Sequence, residues 1–262
     1  MASSKKVRKH IVIPDTQVKP GVPTEHFDWI GEYIVEQNPD VVVHLGDHWD
    51  MPSLSSYDNR SGRKFEGRRY KDDIKAGNEA MQRLMSPIRY NNRKRKKKGP
   101  EFHFIIGNHE ERIERAIEDD PHTLEGVIGY QDLDLRGWEV HPFLKVVEID
   151  GVHYSHYFSS NNGRALGSKA DTRLSQIGFS FTMGHQQGLQ IANKHLANGK
   201  TLRGLIAGSC YLHDEDYMNP QGNRTHWRGI IVKHEVQDGQ YCIMEVSLDY
   251  LSRKYTGKPL NE

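Results

Sequence analysis

Carboxylates, imidazoles and carboxamides collect where the apolar runs of this sequence end. "HIVIP" is followed by Asp15-Thr16-Gln17, and "DVVVHL" by Gly46-Asp47-His48-Trp49-Asp50. "FHFII" leads into Gly107-Asn108-His109-Glu110, "GVHYSHYF" carries His153 and His156, and "FTM" delivers Gly184-His185-Gln186-Gln187. These side chains bind divalent metals. A carboxylate can bridge two such ions about 3.5–4 Å apart, and the pair then clamps the attacking and leaving oxygens of a displacement at phosphorus. Each tip has an ordinary explanation by itself. Asp15 after a proline can cap a turn, Gly-Asp is a common turn pair, and Asn108 can cap a following helix. A lone histidine on a hairpin is usually structural. Five such tips in succession point instead to one site beyond the carboxyl ends of the strands of an open sheet.

The elements that must position these tips are readable from periodicity. Residues 10–15, 40–47 and 102–110 each contain a short continuous apolar run, the mark of a strand buried on both faces. Between the first two lies "PTEHFDWIGEYIVEQNPD", with Thr24 as N-cap, Phe27, Ile30 and Ile34 at helical spacing and Pro39 as the stop. "YKDDIKAGNEAMQRLMSPI" predicts a second helix with Ile74, Met81, Leu84 and Met85 on one face, and residues 110–118 and 122–130 read as further helices. Residues 51–69 and the basic run after residue 92 read as loops. In the second half short strands alternate with turn pairs, Asp150-Gly151, Asn198-Gly199 and Asp238-Gly239. The expected fold class is α/β (α+β): two sheets packed face to face as a β-sandwich, flanked by helices. Residues 1–262 read as one domain, with a core over about 10–250 and a tail over about 251–262. The change of character near 135–140 is the one candidate boundary.

The bulk numbers exclude several classes. A chain of 262 residues buries a core without staples, and Cys210 and Cys242 are its only cysteines, so no disulfide framework or cysteine-rich zinc site is expected. "MASSKKVRKH" is basic but is followed by no apolar stretch long enough for a signal peptide or a membrane span, which predicts a cytoplasmic protein with no membrane partner. A net charge of +1 excludes a bulk polyanion binder. The positive charge is local: Arg93 to Lys98 are six consecutive cations, either a solvated loop or a grip on a nucleic-acid backbone. No aromatic residue interrupts the run, so it is no platform for stacked bases.

In order, "PDTQ", "GDHWD", "GNHE", "SHY" and "GHQQ" resemble the sequence blocks of the calcineurin-like metallophosphoesterases, over about residues 10 to 210. "AGSCY" at 207–211 is similar to the Gly-Ser segment that often follows the last block. The resemblance implies that family's double β-sandwich flanked by helices, in a compact phage- or bacterial-type member without a cap domain; for a phage-borne chain the compartment is the host cytoplasm. It also implies site roles. Asp47 would bridge two divalent metals. Asp15, Gln17 and Gln187 would hold the first, and Asn108, His156 and His185 the second. A hydroxide bridging the metals would attack phosphorus. His109 would stabilise the transition state and protonate the leaving oxygen, with Asp50 orienting it. His153 and His156 are three apart on a strand and point to opposite faces. His156, nearer the end of the run and at the family's spacing after Asp150-Gly151, is the expected ligand.

Two departures fall on the same implied metal, because Gln17 and Gln187 stand where the family usually has histidine. The first site would then be all oxygen and suit Mg²⁺, Mn²⁺ or Ca²⁺, while the second keeps two imidazoles and suits Mn²⁺, Zn²⁺, Ni²⁺ or Fe²⁺. Mn²⁺ is the best single ion for both. The substrate is less legible. The candidate substrate loops are 51–69, 159–170 and 211–228, where Arg60, Arg63, Arg164, Arg224 and Arg228 could meet phosphate and where His213, His226 and Trp227 could line a pocket. The expected activity is phosphodiester or phosphomonoester hydrolysis on nucleotide-like or other small phosphate esters. A DNA exonuclease, a non-catalytic scaffold with this fold and a nucleic-acid binder using the basic run are the alternatives.

Overall fold

The first strand, β1 (Arg8–Ile13), is followed by α1 (His26–Gln37), β2 (Val41–His44), the long α2 (Tyr70–Arg95) and β3 (Glu101–Ile105). This computed structural model describes residues 6–56, 66–96, 98–215 and 218–260. Arg60, Arg63, Lys97 and part of the 211–228 loop therefore lie outside the described residues. Next come α3 (Arg112–Asp119), α4 (Pro121–Leu124), β4 (Glu139–His141), β5 (Val147–Ile149), β6 (Val152–Ser155), α5 (Ala170–Ile177) and β7 (Phe181–Met183). The chain continues through β8 (Leu189–His195), β9 (Thr201–Ala207), α6 (Pro220–Thr225), β10 (Gly229–Gln237), β11 (Gln240–Ser247) and α7 (Leu248–Thr256).

Two mixed sheets result, flanked by helices. The first has the order β11-β10-β1-β2-β3-β4, with β1 to β4 parallel and the C-terminal hairpin returning antiparallel beside β1. The second has the order β5-β6-β7-β9-β8, parallel in its middle and antiparallel at both edges. Alternate residues of each central strand serve two cores, which is why the runs are continuously apolar. Val12, Val41, Val43 and Ile105 pack with Val152, Tyr154 and Leu205 of the second sheet. Ile11, Ile13, Val42 and Phe104 pack with Phe27, Ile30, Met81 and Leu84 of α1 and α2. Among the described residues no helix is long and apolar enough to cross a membrane.

Four expectations change. The helix read over 122–130 ends at Leu124, and residues 125–129 are turn and bend. The first half of the basic run is not a loop: α2 continues through Pro87 to Arg95, and Lys96 ends it in a left-handed conformation. The proline is tolerated where α1 and α2 pack closely. A Cβ at Gly31 would meet the Leu84 carbonyl and the Pro87 ring, so only glycine permits that approach. Arg93, Lys94 and Arg95 fill the last turn, where cations complement the helix dipole. Thr24 does not cap α1; its Oγ1 accepts a hydrogen bond from Arg83 Nη1 (3.0 Å) and ties α1 to α2. Much of the supposed tail is α7. Ser247 Oγ accepts from Tyr250 N (3.1 Å) at its start, and Leu251 is fully buried.

Candidate metal centre

Three turns at the carboxyl ends of β1, β2 and β3 are laced together before any side chain reaches the centre. Asp47 O accepts from Thr16 N (3.1 Å) and Gln17 N (2.8 Å), which joins the first turn to the second. Glu110 joins the second to the third. Its Oε1 accepts from His48 N (2.6 Å) and Trp49 N (2.9 Å), and its Oε2 from Asp47 N and Gly107 N, both at 2.9 Å. Burial and the Asp47 charge push Glu110 up to about 7. Four amide donors with no acceptor for a carboxyl proton nonetheless make the carboxylate the form this geometry holds. Gly107 is required: a Cβ there would strike Asp47 Oδ1. Gln17, Asp47 and His185 take positive φ angles of 47°, 51° and 66°, strained for side-chain-bearing residues and held by these lacings.

On one side of Asp47 the imidazoles converge. His156 Nδ1 donates to Leu45 O (2.7 Å), which leaves Nε2 facing Asp47 Oδ2 at 3.3 Å and Asn108 Oδ1 at 2.8 Å. His185 Nδ1 lies 2.8 Å from the same Asn108 oxygen. Ligand atoms sharing one ion at about 2.0–2.2 Å stand roughly 3 Å apart, which these separations match. Asp47, His156 and His185 form a group that could hold a metal ion. Burial would depress His156, but the adjacent Asp47 charge outweighs it and raises the imidazole to about 9. Burial and the His156 charge lower His185 to about 4. His153, the alternative on β6, points away: its ring lies on Phe179 at 3.9 Å between centroids.

The other side is made of oxygens. Asp15 Oδ1 accepts from His185 N (3.0 Å), and a Cβ at Gly184 would strike it. Asp15 Oδ2 and Gln17 Oε1 are buried and have no hydrogen-bond partner among the described residues. Burial, opposed by the His156 charge, pushes Asp15 up to about 7. Orphaned buried acceptors of this kind are costly, and a cation would satisfy both, so this donor set fits a hard divalent ion. Gln187 is more engaged: its Oε1 accepts from Tyr211 O–H at 2.7 Å.

His109 stands at the rim of the pair. Its Nδ1 donates to Asp50 Oδ1 (2.7 Å) and Asp50 O (2.9 Å), fixing the tautomer. Nε2 then faces Asp47 Oδ2 at 3.8 Å and Arg112 Nη2 at 3.3 Å. Burial would lower its pKa, but Asp47 and Asp50 outweigh that and raise it. Lys19 Nζ approaches Asp50 Oδ2 (3.4 Å) and Glu215 Oε2 (2.9 Å), and Glu215 Oε1 holds His213 Nε2 at 2.9 Å.

The remaining candidates separate. His213 and His226 lie near the oxygen side, the first tilted against Tyr211 (4.7 Å between ring centroids), the second bonded to the Tyr211 hydroxyl through Nδ1. Trp227 packs on backbone: Cβ atoms at Gly208 or Gly229 would each meet its indole at 2.7 Å. Arg164 is exposed on the 159–165 turn, and Arg228 pairs with Asp214 (2.6 Å). Sequence reasoning passed over the role of Glu110, although it ends "GNHE", and gave none to Lys19, Arg112, Tyr211 or Glu215, whose spacing carries no signal. It also left Gln186 without a role; Arg173, fully buried, donates to its Oε1 (3.0 Å) and to Gly167 O (2.7 Å). Comparison of the chain with protein-family models and with curated proteins finds no match.

Proposed function

We propose that the protein is a phosphoester hydrolase of the calcineurin-like metallophosphoesterase fold, dependent on two divalent ions, with Mn²⁺ preferred. One observation carries this: Asp47 stands beside a converged Asn/His/His set, across a laced turn from two buried oxygens that lack partners. Asn108, His156 and His185 would hold one ion, Asp15, Gln17 and Gln187 the other, and Asp47 would reach both. When bound, such ions polarise phosphoryl oxygens and lower the pKa of water.

The chain's own residues supply the rest. His109, its Nδ1–H fixed on Asp50, presents Nε2 to the centre, where it can hand a proton to the departing ester oxygen. Asp50 orients the ring and favours its charged form. Arg112, bonded to Asp50 O (2.7 Å), adds a fixed positive charge beside the transferred group. The basic residues Arg93 to Lys96 lie at the amino ends of the strands, away from this centre, so they favour no nuclease over a hydrolase of small esters.

Bis-p-nitrophenyl phosphate, p-nitrophenyl phosphate, cyclic nucleotides and single-stranded DNA, each with Mg²⁺, Mn²⁺ or Zn²⁺, test the proposal. Turnover of at least one small ester in Mn²⁺, lost in His109→Ala, is expected. No turnover of any substrate by the wild type would make the fold a scaffold, and unchanged turnover in His109→Ala would remove the assigned acid.

A further inference from the structure

A second cluster of ligating side chains lies at the opposite edge of the first sheet from its C-terminal hairpin. β4 is the edge strand, three residues long, paired parallel with β3 in the register His103↔Glu139 and Ile105↔His141. Side chains alternate along a strand, so Glu139 and His141 emerge on the face that carries His103. His103 Nδ1 and His141 Nε2 are 3.0 Å apart, with the rings stacked at 13°. Glu139 adds a carboxylate oxygen 3.5 Å from His103 Nδ1 and another 3.9 Å from His141 Nε2. All these atoms belong to one group within 4.8 Å.

A lone hydrogen bond between the imidazoles would account for the 3.0 Å contact but not for the other nitrogen of His103. That Nε2 is buried and has no hydrogen-bond partner among the described residues; the nearest carboxylate oxygen, Glu101 Oε2, stands at 4.0 Å. Glu101 is itself held by Arg8 at 2.6 Å. Coordination through His103 Nδ1 moves the ring proton to Nε2, which then points to Glu101. A carboxylate on the distal nitrogen is the usual companion of a metal-bound histidine. Two imidazole nitrogens on one tetrahedral ion sit about 3.3 Å apart, a small opening of the observed contact. Both histidines are buried, while Glu139 is exposed and free to close on an ion.

We propose that His103, Glu139 and His141 bind one transition-metal ion of the Zn²⁺, Co²⁺ or Ni²⁺ class, separate from the central pair, and that this ion pins the edge strand β4 to β3. Two imidazoles and one carboxylate suit these borderline ions and leave a coordination position for water. The clip stands at the root of the segment that carries Phe143, whose ring lies 6.4 Å from that of His156 and 5.6 Å from that of Tyr157. Strand and centre are thus neighbours through this segment, but the binding residues are distinct, and the inference does not depend on hydrolase activity.

The full-length protein, stripped with chelator and titrated with Zn²⁺ or Co²⁺ by calorimetry, tests it. A background with the central cluster disabled, Asp47→Ala with His185→Ala, separates the two sites. This background is expected to keep one equivalent of tight binding that disappears with His141→Ala, together with a visible tetrahedral Co²⁺ band and a metal-dependent rise in Tm. Glu139→Ala, at an exposed position where folding is safe, is expected to weaken that equivalent about tenfold or more. Equal binding in the presence and absence of His141, or unchanged affinity in Glu139→Ala, would overturn the proposal.

Discussion

On one side of Asp47 both imidazoles already meet one amide oxygen; on the other, two buried oxygens have no hydrogen-bond partner among the described residues. Asn108, His156 and His185 contain both donors and acceptors, so both imidazoles meet the Asn108 oxygen at 2.8 Å without help. A carboxylate offers acceptors alone, and the carbonyl end of a glutamine does the same. Asp15 Oδ2 and Gln17 Oε1 therefore stay unsatisfied, at a cost of about 1–3 kcal/mol for each such group. The imidazole side is preformed by its own chemistry, whereas the oxygen side is held by burial and backbone lacing and needs a cation to repay its desolvation.

Removing the residue common to both sides breaks the comparison outright. Asp47→Ala should abolish turnover and release both central ions, as metal analysis after gel filtration would read in a His141→Ala background that removes the edge-strand group; one central ion retained at full affinity would mean that Asp47 serves one side alone. Next in size, Gln17→His should convert the oxygen side toward the chemistry of its neighbour. The expected result is tighter retention of Zn²⁺ by about 10–100-fold, within the range in which altered metal surroundings move affinity, and a smaller Mn²⁺ advantage in activity. An unchanged preference would show that Gln17 lies outside the coordination sphere.

The foundations of the two sides both respond to acid. Thr16 Oγ1, between Asp15 and Gln17, bonds to His48 Nδ1 (2.8 Å), and His26 Nε2 donates to Cys210 O (3.1 Å) beneath the strand that meets Asp15. Burial lowers His48 to about 4 and His26 to about 3. Below the ordinary value of about 6.5 the unfolded chain binds protons that these folded rings refuse. Their contribution is therefore complete above pH 6.5 and is lost as pH falls toward 4, by on the order of 1 kcal/mol per unit for each ring. The imidazole side carries the same liability, since burial lowers His185 to about 4. Hydrogen exchange at pH 7.5 and pH 5 should therefore show amides 15–18 and amides 185–188 both losing protection; loss confined to one set would mean that the two sides rest on separate foundations.

Much of this site was legible because strand ends and turn pairs are local signals. Asp150-Gly151 and Asp238-Gly239 sit in the left-handed region that their hairpins demand, with φ of 53° and 82° and of 48° and 77°. Strand alternation set His153 and His156 on opposite faces, and the choice of His156 rested on its place near the end of the run and on the resemblance's spacing after Asp150-Gly151. What escaped depends on contacts distant in sequence. The basic run read as a loop because consecutive charges carry no apolar helical face, although α2 continues into it past Pro87, whose ring packs against Gly31 of another helix. His103 and His141 are 38 residues apart, the first inside an apolar strand, and only the β3–β4 register joins them. Lys19 and Glu215 meet across 196 residues, beyond any spacing rule.

The smallest expected effect belongs to Tyr211→Phe, which removes one hydroxyl and leaves the ring packing on His213. That hydroxyl holds Gln187 Oε1 at 2.7 Å and also meets His226, so it aims the amide without being a ligand. Losing it should weaken the oxygen-side ion by about tenfold, the low end for an outer hydrogen bond, and leave the imidazole-side ion unchanged. Titration with Mn²⁺ by calorimetry or electron paramagnetic resonance reads the two classes separately. If both weaken together, Gln187 is coupled through Asp47 to the imidazoles and the two sides act as one; if neither moves, Gln187 is aimed by its backbone and the tyrosine is packing.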